Sequence, residues 1–189
     1  MKNLNIMVVG VGGQGTLLTS RIIGKTALQY GYDVKLSEVH GMAQRGGSVV
    51  TFVRFGGAVS EPVVEEGSAD ILISFERLEA LRYAHYLKKD GVIIVNDCRI
   101  DPMTVVIGAS KYPENIIESL KNEHTVYTID GGTIANELGN SKVLNSVVLG
   151  LAAKHIGFTK EQWLDVLKKT VPQKTIEINE KAFLKGYEF

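Results

Sequence analysis

The apolar run Leu4-Asn5-Ile6-Met7-Val8-Val9 passes directly into Gly10-Val11-Gly12-Gly13-Gln14-Gly15 and from there into a long helical pattern. A buried strand that feeds a helix through a glycine turn commits this end of the chain to an α/β layer. Glycines at such a turn let the backbone approach an anionic group closely. The free N–H groups of the following helix then point at that group, with the positive end of the helix dipole behind them. Gly12 is the position where close approach or a positive φ is expected.

Val- and Ile-rich runs recur with helical stretches between them, at 4–9, 33–39, 48–55, 70–75, 92–96, 105–107 and 125–129. This alternation predicts an α/β fold, a Rossmann-like, mostly parallel sheet flanked by helices. The runs 6–9, 71–73 and 92–95 are continuously apolar, as strands covered on both faces are, and are expected at the sheet centre. Ser48 to Phe55 alternates in part and is followed by Gly56-Gly57 and Ala58-Val59-Ser60, which predicts an edge hairpin or flap. The first helix is expected over 13–30, with Arg21, Lys25 and Gln29 forming a solvated stripe.

Beyond Gly131 the pattern becomes helical, at 133–138, 141–156, 161–169 and 174–185. Thr159-Lys160-Glu161-Gln162 fits a capping box for the third of these helices, and Gly186 an αL stop for the fourth. With 189 residues, 44% of them hydrophobic, and neither repeat nor linker, one domain over 1–189 is expected.

Composition removes several function classes. Lys plus Arg and Asp plus Glu both number 21, so the chain lacks the basic footprint that nucleic acid or an anionic membrane surface selects. Cys98 is the only cysteine, which excludes an internal disulfide and leaves the chain unable to ligate an iron–sulfur cluster or a thiolate zinc site alone. Met1-Lys2-Asn3 leads into the first strand without a signal-peptide pattern, and no apolar run reaches the roughly 18 residues of a membrane span. A cytoplasmic protein is expected.

Gly10, Gly12 and Gly15 also satisfy the dinucleotide pattern G-x-G-x-x-G, and Glu38 lies where a ribose partner is expected, about 20 residues on. The residues alone therefore leave open an NAD site, another phosphate-bearing ligand, or a packing turn without ligand. Gln14 argues against NAD, because a polar amide there can hydrogen-bond a ligand or a facing chain. The segment His40-Gly41-Met42-Ala43-Gln44-Arg45-Gly46-Gly47 supplies an imidazole and a guanidinium beside the turn. Arg45 can fork onto a phosphate or carboxylate, or pair with Glu38 or Glu76. Glu76, Asn96 and Asp97 follow predicted central strands, where open α/β sheets place ligands, although Glu76 also suits a helix start and Asp97 a turn. His85, His124 and His155 are scattered and expected to be structural or exposed. Neither a Ser-His-Asp spacing nor a paired-carboxylate pattern stands out, so the catalytic inventory is incomplete and no catalytic or metal-binding residue is assigned.

The turn, the stretch Ser37-Glu38-Val39-His40-Gly41-Met42-Ala43-Gln44-Arg45-Gly46-Gly47-Ser48-Val49, Glu76, Glu79-Ala80-Leu81-Arg82-Tyr83 and Asn145-Ser146-Val147-Val148-Leu149-Gly150 carry a resemblance over nearly the whole chain. They resemble the gamma-type subunits of 2-oxoacid:ferredoxin oxidoreductases, and among these the small (beta) subunits of the indolepyruvate enzymes. The resemblance implies a heteromer that oxidatively decarboxylates arylpyruvates with coenzyme A to the aryl-acetyl-CoA, CO2 and reduced ferredoxin. Thiamine diphosphate and the iron–sulfur clusters are then expected on a large partner subunit. It further implies coenzyme A as a ligand of the glycine turn, with contact to the large subunit as the alternative use of the same segments. The candidate binding residues are Gly10, Gly12, Gly13, Gln14, Gly15, His40, Arg45, Gly46, Gly47 and Glu76. A free-standing NAD-linked oxidoreductase or a nucleotide-binding module is the rival reading.

Overall fold

The computed structural model describes residues 3–41 and 46–189. Six strands, β1 (Leu4–Val11), β2 (Asp33–His40), β3 (Ser48–Gly56), β4 (Ala69–Ser74), β5 (Leu87–Asn96) and β6 (Thr125–Ile129), form one sheet in the order β2-β3-β1-β4-β5-β6. Strands β1, β4, β5 and β6 are parallel, with Val8, Ile73, Ile94 and Tyr127 in one row, and β3 runs antiparallel between β1 and β2.

The apolar runs occupy the middle of this sheet because both of its faces are covered. Ile6, Val8, Ile71, Ile73 and Ile94 pack under α1 (Thr16–Gln29) together with α6 (Leu144–Ile156), α7 (Lys160–Thr170) and α8 (Ile176–Tyr187). On the other face Met7, Val9, Leu72, Ile93 and Val95 pack under α2 (Arg77–Tyr83) and α4 (Ile116–Glu123). Two shorter helices, α3 (Met103–Val106) and α5 (Gly131–Glu137), follow β5 and β6.

The predicted mostly parallel α/β sheet with a helical tail is present, and four local expectations are corrected. The antiparallel pair at the edge is β2 with β3, not a hairpin of β3 with 58–60. Strand β3 itself is an interior strand with Thr51 and Val53 fully buried. The run 105–107 is not a strand: Pro102 precedes the single turn of α3 and Gly108 leaves it at φ 76°, so Val106 and Ile107 stay exposed. An apolar run that short carries no period with which to tell strand from helix. Helix α1 starts at Thr16 rather than at residue 13, because Gly13 and Gly15 hold φ of 100° and 85°.

Gly186, expected as an αL stop, lies inside α8. A Cβ there would come within 1.9 Å of the Val147 carbonyl oxygen, and one on Gly150 within 2.1 Å of the Phe183 carbonyl oxygen. The two glycines let α6 and α8 touch backbone to backbone. The capping box forms as expected, with the Thr159 N–H donating to Gln162 Oε1 at 2.8 Å and the Gln162 N–H to Thr159 Oγ1 at 3.3 Å. Arg21, Lys25 and Gln29 are exposed, and Gln29 Nε2 reaches Asp165 Oδ2 of α7 at 2.7 Å.

Candidate functional site

The chain builds the sheet to opposite sides of β1, first with β2 and β3 and then with β4, β5 and β6, and the glycine turn leaves the carboxyl end of β1 beside the parallel β4 at that switch point, where open α/β sheets bind ligands. Each glycine has its own reason to be there. A Cβ on Gly10 would meet Gln14 Oε1 at 2.9 Å and Phe75 Cβ and Thr16 Cγ2 at 3.0 Å, so Gly10 is a packing position. The positive φ values belong to Gly13 and Gly15, not to Gly12 as expected. Gly12 instead donates its N–H to the Gly47 carbonyl at 2.9 Å, so Gly47 of the second motif lies against the first. Helix α1 begins with no side chain capping it, which leaves its first-turn N–H groups free for a ligand.

Gln14 uses both ends of its amide inside the chain. Its Oε1 accepts the Val11 N–H at 2.7 Å, and its Nε2 donates to the Phe75 carbonyl at 3.0 Å. Asn96 Nδ2 donates to the same carbonyl at 3.1 Å, and Asn96 Oδ1 accepts the Gly131 N–H at 2.9 Å. The amides of Gln14 and Asn96 thus tie the ends of β1, β4 and β5 and the start of α5 into one frame.

Glu76 is the hub of the neighbouring loop. It is 1% exposed, caps α2 by accepting the Glu79 N–H at 3.0 Å, and accepts the Ile100 N–H at 3.1 Å and the Tyr112 hydroxyl at 2.5 Å. Three hydrogen bonds from within the chain make it a support for the strand ends. Burial, followed by the Glu76 hydrogen bond, pushes the Tyr112 hydroxyl well above its ordinary range. Asp97 pairs with Arg77, and the Asp97 N–H donates to the Ile129 carbonyl at 2.8 Å, as a turn former does.

The glycine turn stands between two cavities. A groove of about 250 Å³ runs over Gly12, Gly13, Thr16 and Leu17 to Glu38 and His40, which is exposed. Of the second motif, Gly46 (φ 81°) and Gly47 are placed beside the turn, while Arg45 lies outside the described residues. Because β3 separates β2 from β1, Glu38 sits two strand spacings out, about 10 Å, which removes the adjacent-strand geometry of a dinucleotide site. On the other side of Gly13 and Gly15 a cavity of about 590 Å³ opens toward the start of α6. Asn145 faces it from directly above Gly15, a residue quoted in the tail motif but missed as a site candidate. Its signal was a polar Asn-Ser pair opening an otherwise apolar helix.

Ser48, where the chain re-enters the sheet after the second motif, donates to Glu79 Oε2 at 2.5 Å and lies 3.3 Å from the Tyr83 hydroxyl. Burial pushes the Glu79 carboxyl above its ordinary value, outweighing the downward pull of Ser48 and Arg82. Burial and then Glu76 raise the Cys98 thiol, so it is not a thiolate nucleophile at neutral pH. A lone protonated cysteine does not fit an iron–sulfur cluster, and no metal-binding group of His, Cys, Asp and Glu occurs among the described residues. His85 is exposed beside Glu66, His155 packs against Tyr127 with ring centroids 4.5 Å apart and planes tilted by 41°, and His124 lies away from the turn. Among the described residues no helix is long and apolar enough to cross a membrane.

Comparison with known proteins gives a consistent result. The profile of the pyruvate ferredoxin/flavodoxin oxidoreductase family matches residues 5–189. The chain is 42% identical to indolepyruvate oxidoreductase subunit IorB of Thermococcus kodakarensis, covering 98% of this chain and 95% of that one. It is 42% identical to the IorB subunit of Archaeoglobus fulgidus over 97% and 94% of the two chains. Among solved structures, the gamma subunit of a keto/oxoacid ferredoxin oxidoreductase from Geobacter sulfurreducens has the same fold, with TM-score 0.71 at 24% identity over 98% of this chain and 96% of that one.

Proposed function

Because the chain belongs to the pyruvate ferredoxin/flavodoxin oxidoreductase family, as a small subunit of the indolepyruvate oxidoreductase type, we propose that its own part in that enzyme is to seat the phosphate-bearing end of coenzyme A on the glycine turn. The observation that carries this reading is the turn itself. An uncapped fourteen-residue helix begins at the sheet switch point behind two positive-φ glycines, with open space beside Gly13.

In this reading coenzyme A supplies the thiol that receives the acyl group, and the α1 N–H groups hold the other end of the molecule. The Gln14–Asn96 frame fixes the turn. In this reading decarboxylation and electron transfer fall to a large partner subunit holding thiamine diphosphate and the iron–sulfur clusters, with ferredoxin as acceptor. The exposed Val39, Met103, Val106 and Ile107 side chains support a chain that works in a heteromer.

The test is reconstitution under anaerobic conditions. The chain combined with its large subunit should reduce a dye in a reaction that requires both an arylpyruvate and coenzyme A, while the chain alone should show no turnover. Turnover of NADH by the isolated chain, lost on Glu38→Ala, would support the nicotinamide alternative and overturn this one.

A further inference from the structure

Among the described residues, the two cavities flanking the glycine turn differ in their charged groups and in what their polar groups already do. On the groove side, Glu38 presents a carboxylate, which opposes a nearby anion. On the α6 side, Lys142 is exposed on the rim and has no acidic partner among the described residues. Asn145 is 4% exposed and lines that cavity, yet its side-chain amide makes no hydrogen bond among the described residues. Asn145 is not among the fully buried polar atoms left without a partner, so its amide is open to the cavity, where a ligand's acceptor can take the place of water. The amide is placed over the α1 N-terminus: a Cβ on Gly15 would stand 3.1 Å from Asn145 Cβ and 3.3 Å from Nδ2.

Resting on the reading that the glycine turn takes a phosphate-bearing ligand, we propose that the ligand's diphosphate lies on the α6 side, where Asn145 Nδ2 donates to it together with the α1 N–H groups and Lys142 screens its charge. The uncharged part of the ligand then crosses Gly13 toward Thr16 and Leu17. Asn145 is a binding residue that sets this direction: its amide supplies a donor that a carboxylate of the same shape cannot supply.

The test is titration calorimetry on the full chain with coenzyme A, inorganic pyrophosphate and pantetheine. Asn145→Asp keeps the shape and reverses the polarity, and should weaken coenzyme A and pyrophosphate by about 10- to 100-fold while leaving pantetheine unchanged. Lys142→Glu, on an exposed rim where folding is not at stake, should weaken both anions in the same direction. Wild-type affinity for coenzyme A in both variants, with loss in Gly13→Ala, overturns the assignment of Asn145 and leaves the glycine-turn reading standing. A wild-type chain that binds neither coenzyme A nor pyrophosphate, alone or in the complex, overturns both.

Discussion

Two glycines at the turn carry positive φ, and the consequences separate conformation from function. Gly13 and Gly31 both have φ near the left-handed region, 100° and 84°, and a Cβ at either meets nothing within 4 Å. Alanine at each should therefore cost about 1–2 kcal/mol in chemical denaturation, from backbone strain alone. Only one of them touches the site, so the pair provides a matched control. Glu79 sets a second expectation. Its carboxyl is raised above 4.5, so the folded chain keeps that proton at pH values where the unfolded chain has released it. The stabilising effect is full below the unfolded value and declines as pH rises from there through the raised folded value. Glu79→Gln should flatten that decline, read as the difference between the two proteins' melting temperatures across the interval. Cys98 should react slowly with thiol reagents at neutral pH and accelerate only above pH 9.0, its ordinary value. The glycines, Gln14 and Glu76 were legible in the sequence as special positions, but their tasks were not. Gln14 faces Phe75, and only the folded register of β1 against β4 brings that carbonyl within reach.

At the scale of elements, what could be read in the sequence was whatever depends on local period or on a cap. The continuous apolar runs became β1, β4 and β5, and the Thr159–Gln162 box starts α7. What could not be read depends on partners distant in the chain. The place of β3 between β1 and β2 is a pairing choice, and Asn145 joins the turn only because α6 packs beside α1. Gly186 belongs to the same class. Its reason is the Val147 carbonyl on another helix, which no local pattern announces. Gly150→Ala and Gly186→Ala should each destabilise the chain by about 2–3 kcal/mol or more, because the α6–α8 backbone contact must open. An unchanged denaturation midpoint in either variant would contradict that packing.

For the whole molecule, the proposed function is a holding role. The sheet gathers the glycine turn, the Gln14–Asn96 frame and the Glu76 hub at the carboxyl ends of β1, β4 and β5, while among the described residues no metal-binding cluster accompanies them. In the proposed function, a partner brings the reacting groups to those strand ends. Coenzyme A binding at the turn is read from the coenzyme A KM of the reconstituted complex carrying wild-type chain, Gly13→Ala or Gly31→Ala. Gly13→Ala should raise that KM by about tenfold or more, equivalent to ~1.4 kcal/mol, with the arylpyruvate KM unchanged, while Gly31→Ala leaves both unchanged. A coenzyme A KM equal to wild type in a fully assembled Gly13→Ala complex would contradict the account.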